Sequence, residues 1–495
     1  PAVERPRQEI CATDATPPRR SDMTPSRLPR VLSPVAYKYA LLAILATAAA
    51  ACSAATDTTP SAPSGEAPPS SEEAGAGEPS EGGGTGADAG TDAASLPSIN
   101  GVRRVALSFD TTCAVRADGS LKCWGHNAWG QLGLGDTMMR GNAPGQMGAA
   151  LPAVDVGPGR KVVDVGVGDF TTCALLDDGT VRCWGGNATY NPLGLPVDDP
   201  NHTSATIGDG PGEMGASLVP VDFGAGRTAT ALSVGKDYAC AILDDGSVKC
   251  WGNNTVASLR WDDVDGRLRP LDLGGKRAKQ ISAGAGSACA VLEDGTVSCW
   301  GQNRVGMLGR ESTAQDGHPG PVLLAATPQA KKVSVGEQHA CALFVDGSVK
   351  CWGANGLLGT GSTTPASYGR TAGSMATLPF VDLGGRKATD IAAGLSSTCA
   401  VFDDGTFGCW GKSTLVDSDD YVGDEPGEMG AALPVYDLVP GKSLEGVSID
   451  NGYGCAWYDD GTLKCWGANF SGRLGTGDNQ SRYLPGALPT IDLGP

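Results

Sequence analysis

One spacing occurs seven times in this chain: two cysteines ten positions apart, the second followed at once by Trp-Gly. The first copy runs Thr112-Cys113-Ala114-Val115-Arg116-Ala117-Asp118-Gly119-Ser120-Leu121-Lys122-Cys123-Trp124-Gly125. The pairs are Cys113 with Cys123, Cys173 with Cys183, Cys240 with Cys250, Cys289 with Cys299, Cys341 with Cys351, Cys399 with Cys409 and Cys455 with Cys465, at intervals of 49 to 67 residues. They use fourteen of the 16 cysteines and leave Cys11 and Cys52. A period of this length calls for a repeat architecture rather than one large core.

The spacing has a geometric cause. If Ala117-Asp118-Gly119 is a three-residue hairpin loop with glycine in the left-handed region, Val115 faces Leu121 and Cys113 faces Cys123. The cysteines then fall at a non-hydrogen-bonded pair, where Cα atoms approach to about 4.5 Å and lie within disulfide reach. Metal ligation is the alternative, but two sulfurs per repeat need further ligands, and the chain has only 4 histidines. Seven intramolecular disulfides are therefore expected, with no metal and no cofactor.

Each hairpin has two further candidate strands. A valine-rich stretch precedes it, as in Lys332-Val333-Ser334-Val335-Gly336, and a short proline-led one recurs between hairpins, as in Pro152-Ala153-Val154-Asp155-Val156 and Pro270-Leu271-Asp272-Leu273. The 73 glycines and 33 prolines suit many short strands and turns. A four-stranded sheet cannot bury both faces alone, but seven arranged radially can. The expected fold is all-β, a seven-bladed β-propeller of four-stranded antiparallel blades, with a linear solenoid as the alternative. The last proline-led copy, 488–494, has no eighth hairpin to join, so it is expected to pair into the first blade, whose own outer-strand candidate is only Leu96–Asn100.

The stretch Cys123-Trp124-Gly125-His126-Asn127-Ala128-Trp129-Gly130-Gln131-Leu132-Gly133, echoed at 351–359 and 465–475, resembles the repeat of the regulator of chromosome condensation family. The resemblance spans about four fifths of the chain. It implies the propeller fold and a structural role for the repeated tryptophans between blades and for His339. The second repeat departs at 187–194, and the third and sixth lose the Gly-x-Leu-Gly ending. The family's namesakes exchange guanine nucleotides on a small GTPase and bind chromatin, while related bacterial propellers include a secreted inhibitor of β-lactamases.

The N-terminal region reads differently. Arg27, Arg30 and Lys38 precede an apolar run from Ala40 to Ala51, which has the form of a signal peptide and is short for a membrane span. Ala49-Ala50-Ala51-Cys52 resembles a bacterial lipobox, making Cys52 the expected lipidation site; ordinary cleavage nearby is the alternative. Residues 1–22 precede a candidate start at Met23. The expected organisation is a leader and signal peptide at 1–51, an acidic Ser/Gly/Pro-rich tether at 52–98, and the propeller at 99–495. Export, anchoring to the cell envelope and a monomeric state follow as expectations.

The formal net charge of -18 argues against nucleic acid as a partner. His126, His202, His318 and His339 occupy unrelated repeat positions, and pairs such as Asp177 with Asp178 and Asp403 with Asp404 read as turn formers before glycine. The run Asp417-Ser418-Asp419-Asp420 lacks the spacing of a calcium loop and reads as a solvated loop. Repeated residues build the ring, so function is expected where repeats differ. Three related insertions follow Trp-Gly, and they make Gln146, Met147, Glu213, Met214, Glu428 and Met429 the candidate binding face. The expected function is non-catalytic recognition of an extracytoplasmic protein or glycan. A polysaccharide-acting carboxylate enzyme and guanine-nucleotide exchange are the alternatives, the latter disfavoured by the export reading.

Overall fold

The computed structural model describes residues 101–495, apart from 188–190, 197–205, 254–267, 325–327, 413–419 and 484–486. The leader, Cys11, Cys52, the tether, Leu96–Asn100, His202 and Asp417–Asp419 all lie outside the described residues.

Seven antiparallel sheets follow one another along the chain. In the first, strands Val102–Ser108, Thr111–Arg116 and Leu121–Gly125 lie side by side. The inner strands of the later blades are Val162–Val167, Ala229–Val234, Ala278–Ala283, Ala330–Val335, Ala388–Ala393 and Leu444–Asp450. Each touches its neighbours on both sides, and the last touches the first, which closes a seven-bladed ring. The middle strand of every blade is buried along its whole length, because it is flanked within its sheet and covered by a blade on each face.

The hairpin geometry follows the spacing. Cys113 lies opposite Cys123 and Val115 opposite Leu121. All seven expected disulfides form, one per blade. Cys113 is bonded to Cys123, Cys173 to Cys183, Cys240 to Cys250 and Cys289 to Cys299. In the last three blades Cys341 is bonded to Cys351, Cys399 to Cys409 and Cys455 to Cys465. Their Cα–Cα distances of 4.0 to 4.1 Å are those of closely approaching strand partners. Gly119 sits at φ +84°, where a β-carbon would be strained. The aspartate before each turn glycine is a turn former. Asp118 Oδ1 accepts from the Ser120 N–H at 2.8 Å and its hydroxyl at 2.7 Å, and Asp178, Asp245, Asp294, Asp346 and Asp404 repeat both bonds.

Strand counts depart from a uniform four: the sheets hold three to five strands. The proline-led segments explain the variation. Each lies along the outer edge of its blade, but proline supplies no N–H and a single backbone bond fastens the segment in most blades, as from Val154 N to Leu121 O, Val221 N to Val181 O and Val381 N to Val349 O. Basic side chains reinforce these edges: Lys122 donates to Leu151 O at 2.6 Å, Arg182 to Val156 O at 3.1 Å and Lys249 to Phe223 O at 2.9 Å.

This arrangement corrects the expected closure. Ile491 N donates to Leu463 O at 2.9 Å, so the C-terminal segment is the outer edge of blade seven, and Val154 fills the place in blade one that it was expected to take. The proline-led segment belongs to the hairpin before it, so no strand is left over for exchange. The ends still meet: Gly148 N donates to Asp492 O at 3.0 Å and Arg116 Nη1 to Pro495 O at 2.7 Å.

The Trp-Gly-x-Asn-x-x-Gly-x-Leu-Gly ending is a clasp between successive blades. Asn127 Oδ1 accepts from Leu132 N at 2.9 Å and holds the loop; Gln131 O then accepts from the Trp184 indole N–H of the next blade at 3.1 Å. Asn303 and Met307 do the same for Trp352, and Asn469 and Arg473 for Trp124, across the ring closure. In repeats three and six the ending is absent, and in repeat five it is two residues shorter. The tryptophans that follow those repeats, Trp300, Trp466 and Trp410, are the ones whose indole N–H has no partner among the described residues.

Candidate functional site

The inner and Trp-Gly strands of a blade run parallel to each other, both antiparallel to the strand between them. The turns after the inner strands and the loops after Trp-Gly therefore emerge on one face, around the ring axis.

At the axis this face opens into a funnel of about 220 Å³. One aliphatic side chain from each blade lines it: Leu107, Val167, Val234, Ala283, Val335, Ala393 and Ile449. Next comes a collar formed by the residue five positions before each first cysteine, which is glycine in blades two to six: Gly168, Gly235, Gly284, Gly336 and Gly394. A β-carbon at any of the five would collide with the backbone of the following blade. Blades one and seven carry Ser108 and Asp450 there instead.

The rim is the position four before each first cysteine: Phe109, Asp169, Lys236, Ala285, Glu337, Leu395 and Asn451. Lys236 Nζ lies 3.2 Å from Asp169 Oδ2. Burial pushes the Asp169 carboxyl up to about 7 against the pull of Lys236. Burial likewise pushes Asp450 up to about 6, opposed by the N–H groups of Asn451 and Phe109 and by Arg473. Arg473, fully buried, donates to the carbonyls of Phe109, Ala468 and Asn451, pairs with Asp110 at 3.1 Å and lies 4.3 Å over the Tyr453 ring.

Exposed aromatic side chains lie on the loops of this face in blades seven, one and two, and Phe109 lines the funnel itself. Phe470 is 63% exposed, Phe109 40%, Trp129 39% and Phe170 38%. Trp129 and Phe170 touch at 5.7 Å between centroids, and the Arg473 guanidinium lies 5.0 Å from the Phe470 ring.

The six residues expected as a binding face lie on this same side but form part of the framework. Gln146 Oε1 accepts from Asn142 N and Ala143 N, Glu213 Oε2 from Gly208 N and Gly210 N, and Glu428 Oε2 from Gly423 N and Glu425 N. Met147, Met214 and Met429 pack into the blade cores. Each insertion ends by donating a backbone N–H to a neighbouring blade: Gly148 to Asp492 O, Gly215 to Asp155 O and Gly430 to Asp382 O. The sequence reading missed Asp169, Lys236, Asp450 and Arg473. Aligning the repeats on their cysteines would have found Asp169 and Lys236, in the variable column beside a glycine column, and Asp450, which stands in that glycine column.

The three described histidines have separate partners. His339 is fully buried, bonds Thr398 Oγ1 through Nε2 at 2.7 Å and is held near 4 by burial, so it is neutral at physiological pH. His126 bonds Gln131 and His318 bonds Asp316. Among the described residues no group of three or more potential metal ligands converges, and no helix is long and apolar enough to cross a membrane.

Comparison with known proteins places this geometry. The family described as Regulator of chromosome condensation (RCC1) repeat matches at 102–131, 162–190, 229–256, 278–306 and 330–357, and a second profile of that description at 118–175 and 294–343. The ultraviolet-B receptor UVR8 of Arabidopsis thaliana is 24% identical over 358 residues, 71% of each chain. Probable E3 ubiquitin-protein ligase HERC4 of Mus musculus is 28% identical over 211 residues, 41% of this chain; the matched part spans only 18% of HERC4. Among solved structures, human WBSCR16 gives a TM-score of 0.57 at 16% identity, covering 74% of this chain and 93% of its own. Yeast RCC1 (Prp20), crystallised bound to Kap60, gives 0.53 at 20% identity over 72% and 80%. These likenesses, to yeast RCC1 (Prp20) bound to Kap60 and to Prp20p described with its binding to Gsp1p and histones, run against the expectation of an exported, lipid-anchored chain. That expectation rested on Arg27, Arg30 and Lys38 ahead of the apolar run Ala40–Ala51 and on Ala49–Cys52, all outside the described residues. No finding points to a bacterial origin or to a lipid on Cys52. Repeat matches and blade geometry agree: this is a seven-bladed β-propeller, and the matched stretches carry the regulator of chromosome condensation (RCC1) repeat.

Proposed function

We propose that this propeller acts by binding another protein on its loop face rather than by catalysing a reaction. The observation that carries the reading is the arc of exposed aromatic side chains, Phe470, Phe109, Trp129 and Phe170, beside a charged funnel on a rigid collar. Aromatic groups exposed in a row on a scaffold that cannot collapse over them favour a macromolecular partner. The rim carboxylates of Asp169 and Asp450 are engaged with Lys236 and the Phe109 N–H.

A more specific reading within this one is guanine-nucleotide exchange on a small GTPase. It is favoured by the likeness to yeast Prp20p, whose structure was described together with its binding to Gsp1p and histones. An exchange factor needs a rigid docking surface and no catalytic constellation of its own, and the objection drawn from export no longer applies.

The test uses the oxidised body 101–495 as bait against cellular protein, followed by release of a fluorescent guanine nucleotide from captured or candidate GTPases. Saturable capture that is lost on substituting Trp129 and Phe470 is the expected outcome. Capture of no protein at all overturns the binding reading; capture without faster nucleotide release overturns only the exchange reading.

A further inference from the structure

We propose that the axial funnel receives one large apolar side chain of the partner protein, flanked in that partner by lysine or arginine. The inference rests on the protein-binding reading and adds the chemistry that would select the partner.

Size sets the first limit. A space of about 220 Å³ admits one leucine-to-tryptophan-sized group and no folded element. Its walls are aliphatic, from Leu107 round to Ile449, and a buried apolar anchor in such a pocket is the usual centre of a protein interface. The anchor does not have to shape its own pocket. The glycine collar brings backbones so close that the opening has little freedom to narrow or widen, which lowers the ordering cost of binding.

Charge sets the second. The rim and collar carry Asp169, Glu337 and Asp450 against one base, Lys236, which Asp169 already holds at 3.2 Å. Asp450 is tied to the Phe109 N–H, and Glu337 remains to face an incoming charge. On the loops of this side Arg473 is paired with Asp110, Arg140 with Asp136, Arg310 with Asp316 and Arg482 with Asp478. A cationic flank is complemented there, whereas an acidic peptide or a phosphate is repelled. The exposed Phe109 ring on the rim adds a surface on which a guanidinium can stack.

The experiment selects phage-displayed random heptapeptides on immobilised body 101–495, then measures synthetic copies of the winners against wild type, Ala283→Phe and Glu337→Gln. Ala283→Phe fills the funnel, and Glu337→Gln removes rim charge without changing its shape; thermal melting confirms that both variants are folded. The expected winners carry a large apolar residue next to Lys or Arg. Their affinity should fall about tenfold or more in Ala283→Phe, and about two- to fivefold in Glu337→Gln at low salt, with the second loss shrinking as salt rises. Winners without basic residues, or winners that bind folded Ala283→Phe as well as wild type, overturn the proposal. So does concentration-dependent self-association that Ala283→Phe abolishes, which would make a second copy of this chain the occupant. If no peptide is selected while the capture experiment still finds a protein partner, the funnel inference falls and the binding reading stands.

Discussion

Asp450 Oδ2 accepts a hydrogen bond from the Phe109 backbone N–H at 2.8 Å, tying the last blade to the first. These blades are the two without a collar glycine, so a side chain bridges where the other blades meet backbone to backbone. Its carboxyl is raised from 3.8 to about 6 by burial. A raised folded-state value means that the folded chain holds the proton more tightly than the unfolded chain. This contribution is complete below pH 3.8 and is lost as pH rises through about 6. Asn at 450 keeps an acceptor for Phe109 without an ionisation cost. Asp450→Asn should therefore melt higher than wild type at about pH 7.5, by at most about 3 kcal/mol, with the advantage vanishing near about pH 4. Equal melting temperatures across this range would show that Asp450 is solvated at the seam.

His339 has the opposite sign. Burial depresses it from 6.5 to about 4, so its contribution is present above 6.5 and is lost as pH falls toward 4. His339→Gln can still bond Thr398 and does not ionise. It should resist acid better than wild type between about pH 6 and about pH 4, measured as the pH midpoint of near-ultraviolet circular dichroism. An unchanged midpoint would rule out His339 as an acid trigger.

The clasp between blades makes the seven tryptophans energetically unequal. Trp124, Trp184, Trp251 and Trp352 each donate to a loop carbonyl of the preceding blade at 2.7 to 3.1 Å, whereas Trp300, Trp410 and Trp466 have no acceptor among the described residues. Phenylalanine removes similar packing in every case but removes a bonded N–H only in the first group. Urea midpoints should place Trp184→Phe below Trp410→Phe by about 1 to 2 kcal/mol. Equal losses would mean that packing alone decides the position.

What the sequence made legible was whatever recurs. The interval from Cys113 to Cys123 implied the hairpin, its register and its bridge, because a strand pair has only one way to bring those positions opposite each other. The acids of Asp-Gly turns were readable for the same reason. Two things were not legible. The partner of the proline-led segments depends on three-dimensional connection order, and 488–494 looked unpaired only because the first blade was assumed to lack an outer edge. The funnel was hidden because Asp169, Lys236, Glu337 and Asp450 are far apart in sequence and meet only when the ring closes. The turn-closing bonds of Glu213 and Glu428 were not legible either, because the loop sequence does not show which backbone N–H groups the carboxylates meet.

Redox chemistry offers a direct count. All fourteen cysteines of the body are bridged, so unfolded, unreduced protein from 101 to 495 should show no free thiol. Reduction should lower the melting temperature without abolishing the fold, since each short loop contributes at most roughly 2 to 3 kcal/mol. Two or more free thiols per molecule would contradict the repeated bridge.

The last expectation follows from the corrected closure. Ile491 and Leu493 are buried beside Leu463 and Cys465 of the seventh hairpin, and Lys464 donates to Leu488 O at 2.7 Å, so the segment 488–495 is the outer wall of blade seven. It also reaches blade one, where Gly148 and Arg116 donate to Asp492 and Pro495. Removing 488–495 should lower the melting temperature of the whole body, since it opens a blade edge and breaks two ties across the seam. Ile491→Ala alone should cost about 2 to 4 kcal/mol. The location of the damage separates the two closures. With the segment in blade seven, its removal exposes the Cys455–Cys465 bridge, which should then be reduced by dithiothreitol faster than Cys113–Cys123, as read by mass spectrometry after alkylation. Faster reduction of Cys113–Cys123 instead would mean that the C-terminal segment guards the first blade, and its assignment to blade seven would be wrong.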